Sequence, residues 1–174
     1  MPEQPIDSGA TALISIATGK TIVQSEREQQ TELAQKKVRT FLDREIGARP
    51  KPGEQKLIIK EQHAAALNSI KEASGKGNFE SVKTLLRKLQ DHGQLDDEFA
   101  LSILSSSAAL RMQVEFGLYR GDVLDGIREK ISPDSLDNLA YNNDSVPAIT
   151  RLGNTVREIT ALQVDLAQAR FSTS

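Results

Sequence analysis

The sequence lacks the residue types on which most metal, redox and disulfide chemistry depends. It contains no cysteine, no tryptophan and only 2 histidines among 174 residues. Without cysteine neither a disulfide nor a thiolate metal site can form, and so few histidines fall short of the usual zinc-binding sets. Aromatic residues make up only 4% of the chain, so the core has to be built from Leu, Ile, Val and Ala. Such a core is typical of packed helices.

Long apolar runs are absent as well. No stretch approaches the roughly 20 apolar residues that cross a bilayer, and the run Ala12–Ala17 is too short for a secretory signal. We therefore predict no membrane span, and a location in the cytoplasm or export without a cleaved signal peptide. The whole chain is 38% hydrophobic and 26% charged. That is the composition of a folded globular protein.

Charge is distributed unevenly along the chain. Residues 1–90 carry 15 basic and 11 acidic side chains, whereas residues 91–144 carry 4 basic and 11 acidic ones. Nucleic-acid phosphates need Lys and Arg to neutralise them, so the acidic stretch disfavours a nucleic-acid partner. A helical-repeat nucleic-acid binder stays open as an alternative because a series of basic residues could line one face, namely Lys56, Lys60, Lys71, Lys76, Lys83, Arg87 and Lys88.

Two stretches of irregular composition divide the chain. Residues 1–24 mix Pro, Ser, Thr, Gly and Ala and predict a flexible tail, whereas residues 25–174 carry the periodicity of one helical domain. Ser25 followed by Glu28 matches the capping box that begins a helix. The prolines within residues 49–53 predict a linker or hinge, because the residue before a proline avoids the helical conformation.

The first three predicted helices follow from their apolar periodicity and their end signals. Gly47 is predicted to end the first helix. A second helix is predicted from Glu54 to Ala73, with Leu57 and Ile58 contributing to the core. Asn78 has the side chain of an N-cap and is predicted to begin a third helix.

The second half of the chain predicts further helices. Asp96 or Asp97 is expected to cap the fourth helix, and Val114 continues its apolar stripe. The run Ser105–Ser107 favours a break in that helix, because serine side chains compete for backbone hydrogen bonds. The remaining predictions are a short helix over 122–131, a helix start at 132–134, a turn at 142–144 and a last helix from Pro147.

The fold class that follows is all-α: a single domain of six to seven packed, mostly antiparallel helices. The sequence also contains a weak internal repeat, since Gly77-Asn78 recurs as Gly121-Asp122. A degenerate helical-hairpin repeat is therefore a second form that the predicted fold could take. The spacing of residues 77–104 also resembles one tetratricopeptide or pentatricopeptide hairpin. That resemblance covers a single unit and carries no nucleotide-reading role with it.

No residue pattern predicts catalysis, a cofactor or a metal site. Gly19-Lys20-Thr21 lacks the first glycine of a phosphate-binding loop, because Ile14 occupies that position. His63 has no second histidine at helical spacing, and His92 beside Asp91 is explained as a helix-terminal histidine favoured by the helix dipole. An enzyme whose site is assembled from scattered residues stays the least favoured alternative.

The last predicted helix carries a wide apolar stripe and few charges. Such a stripe is ordinarily explained by core packing. Terminal amphipathic helices of this kind also dock readily on proteins, so the alternative prediction is that it binds another protein or a second copy of the chain. The predicted partner-binding residues are Ile149, Leu152, Val156, Ile159, Leu162 and Leu166. The predicted function is non-catalytic protein interaction, by an adaptor, chaperone-like regulator or secretion-associated protein. A Ser/Thr/Ala-rich start before a cysteine-free helical body resembles substrates and regulators of bacterial type III secretion systems.

Overall fold

The computed structural model describes residues 19–125 and 145–171, with side chains described for 26–125 and 147–171. The described residues form six helices and no strand, which confirms the predicted all-α fold. The helices are α1 (Gly19–Ile46), α2 (Lys60–Gly75), α3 (Phe79–Gln90), α4 (Asp97–Phe116), α5 (Arg120–Asp125) and α6 (Ser145–Phe171).

The helices belong to two compact units. The first, which we call the terminal helix pair, contains α1 up to Lys37 and α6 from Val164. The second, the helical body, contains Val38–Gln163. The predicted boundary between residues 24 and 25 lies inside α1, so it does not coincide with an end of secondary structure.

The first helix begins earlier than the sequence predicts and ends where predicted. It starts at Gly19, so Ser25 lies inside the helix and the predicted capping box is wrong. Residues 1–18 of the predicted tail lie outside the described residues. At the other end Gly47 has a φ of 102° and its N–H donates to the Asp43 carbonyl at 3.1 Å. A glycine tolerates this left-handed backbone, which is how many helices terminate.

The end of α1 is also held by side chains of α3. Arg87 Nε donates to the Ile46 carbonyl at 3.2 Å, and Gln90 Nε2 donates to the Gly47 carbonyl at 3.4 Å. These carbonyls belong to the last turn of the helix and its cap, which leave acceptors without partners inside the helix. The two side chains therefore satisfy acceptors that a helix end would otherwise leave to solvent.

The second helix begins at Lys60, later than predicted, so the prediction that Leu57 lies in the core is wrong. Leu57 is 99% exposed and Ile58 is half-buried. The Lys56 N–H donates to the Asp91 carbonyl at 3.0 Å, so it is used outside any helix. Ile59 has an extended backbone with φ −83° and ψ 157°. Gly53 just upstream has a φ of 91°, so the chain enters this stretch from a non-helical turn.

The predicted caps of α3 and α4 are confirmed. The Asn78 side chain accepts a hydrogen bond from Ser81 N at 3.3 Å, and the Asp96 carboxylate accepts one from Phe99 N at 2.9 Å. Each side chain thereby supplies an acceptor to a first-turn N–H that has no partner within its helix.

The serine run does not interrupt α4, which continues from Asp97 to Phe116, so the predicted break is wrong. Ser107 is buried and its hydroxyl donates to the Leu104 carbonyl at 3.1 Å, within the helix itself. Ser105 is also buried, and its hydroxyl has no hydrogen-bond partner in the described structure. Val114, predicted to face the core, is 67% exposed instead.

The two buried serines give a matched test of what an unpartnered hydroxyl costs. Ser105→Ala is expected to stabilise the protein by about 1 kcal/mol, because it removes a buried polar group and adds a better helix former. Ser107→Ala loses a hydrogen bond as well as a hydroxyl, so its net effect is expected to be near zero. Urea unfolding midpoints measure both. A lower midpoint for Ser105→Ala would show that the Ser105 hydroxyl has a partner, such as a buried water.

The core of the helical body is aliphatic, as the composition predicts. On α3, Val82, Leu86 and Leu89 are at most 1% exposed and lie along one face at helical spacing. The other helices supply one or more fully buried side chains each, among them Phe41, Leu42, Ile46, Ile70, Leu101, Leu104, Met112, Val123 and Ile159.

Only some of the predictions made for the sequence between α4 and α6 concern residues that the structure describes. The short helix is α5, and it is described from Arg120 to Asp125. The predicted helix start at 132–134 and the turn at 142–144 lie outside the described residues. The last helix begins at Ser145, slightly before Pro147.

The Gly77-Asn78 and Gly121-Asp122 pairs do not share a backbone conformation. Gly77 lies in a turn with a φ of 69°, and Asn78 caps the following helix. Gly121 and Asp122 instead lie inside α5. The two similar dipeptides therefore occupy different conformations.

Candidate interaction surface

The α6 stripe predicted to bind a partner faces the core. Its six residues are between 0% and 8% exposed, and Val156 and Ile159 are fully buried. A partner could reach them only if α6 left its place in the fold. The binding role of this stripe therefore stays a prediction, and its observed role is packing.

A different stretch exposes large apolar side chains. We call residues 54–59, which lead into α2, the connecting segment. Leu57 is 99% exposed and Ile59 is 58% exposed. Both belong to the helical body. Sequence periodicity assigned Leu57 to a helix interior, so this surface was missed.

The connecting segment is fixed to the turn that follows α3. The Lys56 N–H donates to the Asp91 carbonyl at 3.0 Å, and His92 Nδ1 donates to the Lys56 carbonyl at 2.5 Å. Gln55 packs over Gly93, where a Cβ atom would collide with the Gln55 amide. The backbone of Lys56 is therefore held on both sides, while Leu57 next to it points away from the protein.

One of the two histidines makes a structural contact, and the ring Nδ1 of the other makes no hydrogen bond with the described residues. His92 binds the connecting segment, a long-range contact that the helix-terminal explanation did not include. His63 lies near the start of α2, half-buried, and its Nδ1 has no hydrogen-bond partner in the described structure. Within residues 19–125 and 145–171, no three His, Asp or Glu side chains gather as metal ligands would.

The basic residues that could favour nucleic acid are largely engaged with neighbouring groups. Lys56 lies 3.9 Å from Asp91, Lys76 3.1 Å from Glu72 and Lys83 3.9 Å from Glu45. Arg87 donates to the Ile46 carbonyl. The remaining three form no ion pair with described residues: Lys60, Lys71 and Lys88. Acidic neighbours lower the local positive potential, which weakens the case for a phosphate-binding face.

Arg44 forms the main polar contact between α1 and α6 in the helical body. Its guanidinium lies 2.6 Å from the Glu158 carboxylate and 3.1 Å from that of Glu45, over the Phe41 ring. The hydrogen bond with Glu158, followed by that with Glu45, raises the pKa of Arg44 above its ordinary value. All three charged groups are partly exposed, so this network orients the helices more than it stabilises them.

The terminal helix pair contains an open groove of about 370 Å³. Ala34 and Ala169 are buried at its base, and Leu33 is 55% exposed at its edge. Lys37 and Asp165, also in the groove lining, form an ion pair at 3.8 Å. The remaining lining residues are Gln30 and Gln168. The groove thus combines a small-residue floor with one exposed apolar side chain and both signs of charge.

Comparisons with known proteins supply no relative. The chain matches no protein family, no curated protein and no solved structure. Among the described residues, no helix combines the length and the apolar character that crossing a membrane requires.

Proposed function

We propose that this chain is a non-catalytic protein-interaction module, such as an adaptor or regulator, and that the connecting segment forms part of its contact surface. One observation carries the proposal: Leu57 is 99% exposed on a backbone fixed to the helical body. The secretion-associated role suggested by composition is one version of the same proposal.

A single exposed leucine is ordinary on a protein surface and needs no partner to explain it. The connecting segment differs because it displays two large apolar side chains, Leu57 and Ile59, close together. Their neighbour Lys56 is held by two backbone hydrogen bonds, which limits the freedom of the segment. Less conformational entropy is then lost on binding, which favours affinity.

The chemistry of the segment indicates the kind of surface that would recognise it. Leu57 and Ile59 lie at alternate positions, and the backbone at Ile59 is extended. A partner could receive such side chains in apolar pockets or add the segment to a sheet edge, a recurring mode of peptide recognition. We therefore expect a protein partner that contributes a groove or an exposed strand.

The test is a pull-down from lysate of the cells that express the protein. The baits are the wild type and the double variant Leu57→Ser/Ile59→Ser. Loss of two exposed apolar contacts is expected to reduce recovery of a stoichiometric partner about tenfold or more. Because both side chains are exposed, the double variant should keep the wild-type melting temperature.

Val114→Ser is the matched control. Val114 is 67% exposed on α4, away from the connecting segment in sequence. This substitution removes an exposed apolar side chain elsewhere on the helical body and should leave recovery unchanged. Equal recovery by wild type and the double variant would contradict the proposal, and so would a wild-type bait that captures no protein.

A further inference from the structure

The terminal helix pair offers a second surface, independent of the connecting segment. Its two helices run antiparallel, since Lys37 pairs with Asp165 while Arg27 contacts the Arg170 carbonyl nearer the start of α1. The groove between them is open on one side, with the buried Ala34 and Ala169 at its base.

Four exposed residues of α1 follow one stripe beside this groove. They are spaced by four, three and four positions, which keeps them on one face of a helix: Glu26, Gln30, Leu33 and Lys37. The spacing is that of the contact positions of a coiled coil, which are usually apolar. Leu33 is the only apolar member, and the two ends of the stripe carry opposite charges.

The stripe of one copy is complementary to the same stripe of a second copy when the two run antiparallel. If a second copy lies antiparallel with the symmetry axis between positions 31 and 32, Glu26 faces Lys37 of the partner. Gln30, which lines the groove, then faces the partner's Leu33. A two-fold interface repeats each contact, so both ends of the stripe bring opposite charges together.

We propose that two copies of this chain associate antiparallel through their terminal helix pairs. Leu33 of each copy enters the groove of the other, over the floor formed by Ala34 and Ala169. Glu26 of each copy lies against Lys37 of the other, which already has Asp165 as a neighbour in its own chain. The occupant of the groove is therefore a second copy of the chain, packed as in a short four-helix bundle.

The interface is small, so the dimer is weak. The stripe spans twelve residues of helix, and its ends lie about 16 Å apart along the axis. Contacts of this size fall below the standard 800 Å² per partner, and weak or transient association is typical of them. We expect a dimer that forms at roughly micromolar or higher concentrations.

The test is sedimentation velocity of the full chain over about 1 to 300 µM, a range that brackets micromolar affinity. The wild type is expected to shift from monomer to dimer over this range. Leu33→Asp should stay monomeric, because it places a charge over the apolar floor of the groove. Leu33 is exposed in the single chain, so this variant is expected to keep the wild-type melting temperature.

Charge-reversal variants test the antiparallel pairing more specifically than Leu33→Asp does. Glu26→Lys alone and Lys37→Glu alone each place like charges opposite one another twice per dimer, and each is expected to weaken association about tenfold. An equimolar mixture of the two variants restores opposite charges at both ends. We therefore expect the mixture to dimerise where neither variant does. Glu28→Lys makes the same charge change on α1 outside the stripe, and should dimerise like the wild type.

Each result of these sedimentation experiments either supports or contradicts the proposed dimer. Dimerisation that is lost in the single reversals and recovered in their mixture supports the antiparallel pairing. A wild type that stays monomeric throughout overturns it, as does a dimer that Leu33→Asp leaves intact. A different protein captured through the terminal helix pair by a monomeric chain also overturns it. None of these results bears on the connecting segment, whose test uses other residues.

Discussion

Ile159→Asp will abolish cooperative folding. Ile159 is fully buried in α6, and the variant would bury a carboxylate with no partner placed to receive it. The penalty for an unpaired buried charge exceeds about 4 kcal/mol, which is comparable to the whole stability of a small domain. Circular dichroism is expected to show lost helicity and no sigmoidal thermal transition at neutral pH.

Ala161→Asp is the control for this prediction. Ala161 lies two positions further along α6 and is exposed, so the same side chain enters the same helix facing water. Its melting temperature is expected to stay within a few degrees of wild type, since exposed substitutions change stability little. A folded Ile159→Asp variant would mean that α6 can leave the core, which would restore its stripe as a binding surface.

Gly77→Ala is expected to destabilise the helical body by about 2 to 4 kcal/mol, because two effects add. Gly77 has a φ of 69°, a left-handed conformation that a Cβ atom disfavours. An added Cβ would also lie 3.1 Å from Arg111 N and 3.2 Å from the Leu110 carbonyl carbon. Both contacts are with helix backbone, which cannot move aside as the end of a flexible side chain can.

Gly117→Ala separates these two effects. Gly117 has a φ of 71°, close to that of Gly77, yet an added Cβ there would meet nothing within 4 Å. Only the conformational cost of about 1 to 2 kcal/mol remains. Denaturant unfolding of both variants gives the contribution of the close approach by difference. Equal losses in the two variants would show that α4 yields to the new side chain at no cost.

Local rules predict several of the helix ends among the described residues. Asn78, Asp96 and Gly47 act as expected because capping depends on one side chain or one φ value and its nearest neighbours. The aliphatic stripes of α3 and α6 are buried as their spacing predicts. Helical periodicity reports which side of a helix is apolar, and the core takes that side.

The sequence could not predict the features that depend on distant residues. Leu57 fits an apolar helical pattern, yet its neighbour Lys56 is bound to Asp91 and His92, which lie more than thirty positions away. Val114 extends the apolar stripe of α4 in sequence but is 67% exposed. Periodicity cannot tell which stretch of a stripe a neighbour covers.

The candidate surfaces were even less accessible to sequence reasoning. The α6 stripe could be recognised as apolar, but whether an apolar stripe faces the core or a partner depends on the rest of the fold. The groove beside Leu33 and Ala169 joins residues from opposite ends of the chain. The stripe from Glu26 to Lys37 is the local part of this surface, and its single leucine makes it inconspicuous in the sequence.

The side chains that cap α1 set an order for folding. Arg87 and Gln90 reach the carbonyls of Ile46 and Gly47 across 41 and 43 positions of sequence, so the chain between them has to close first. Helices α2, α3 and α4 are joined by short turns and form with little loss of loop entropy. We therefore expect the cap of α1 to form after these hairpins. Until α3 is in place, the Ile46 and Gly47 carbonyls are left to water, although they stand earlier in the chain.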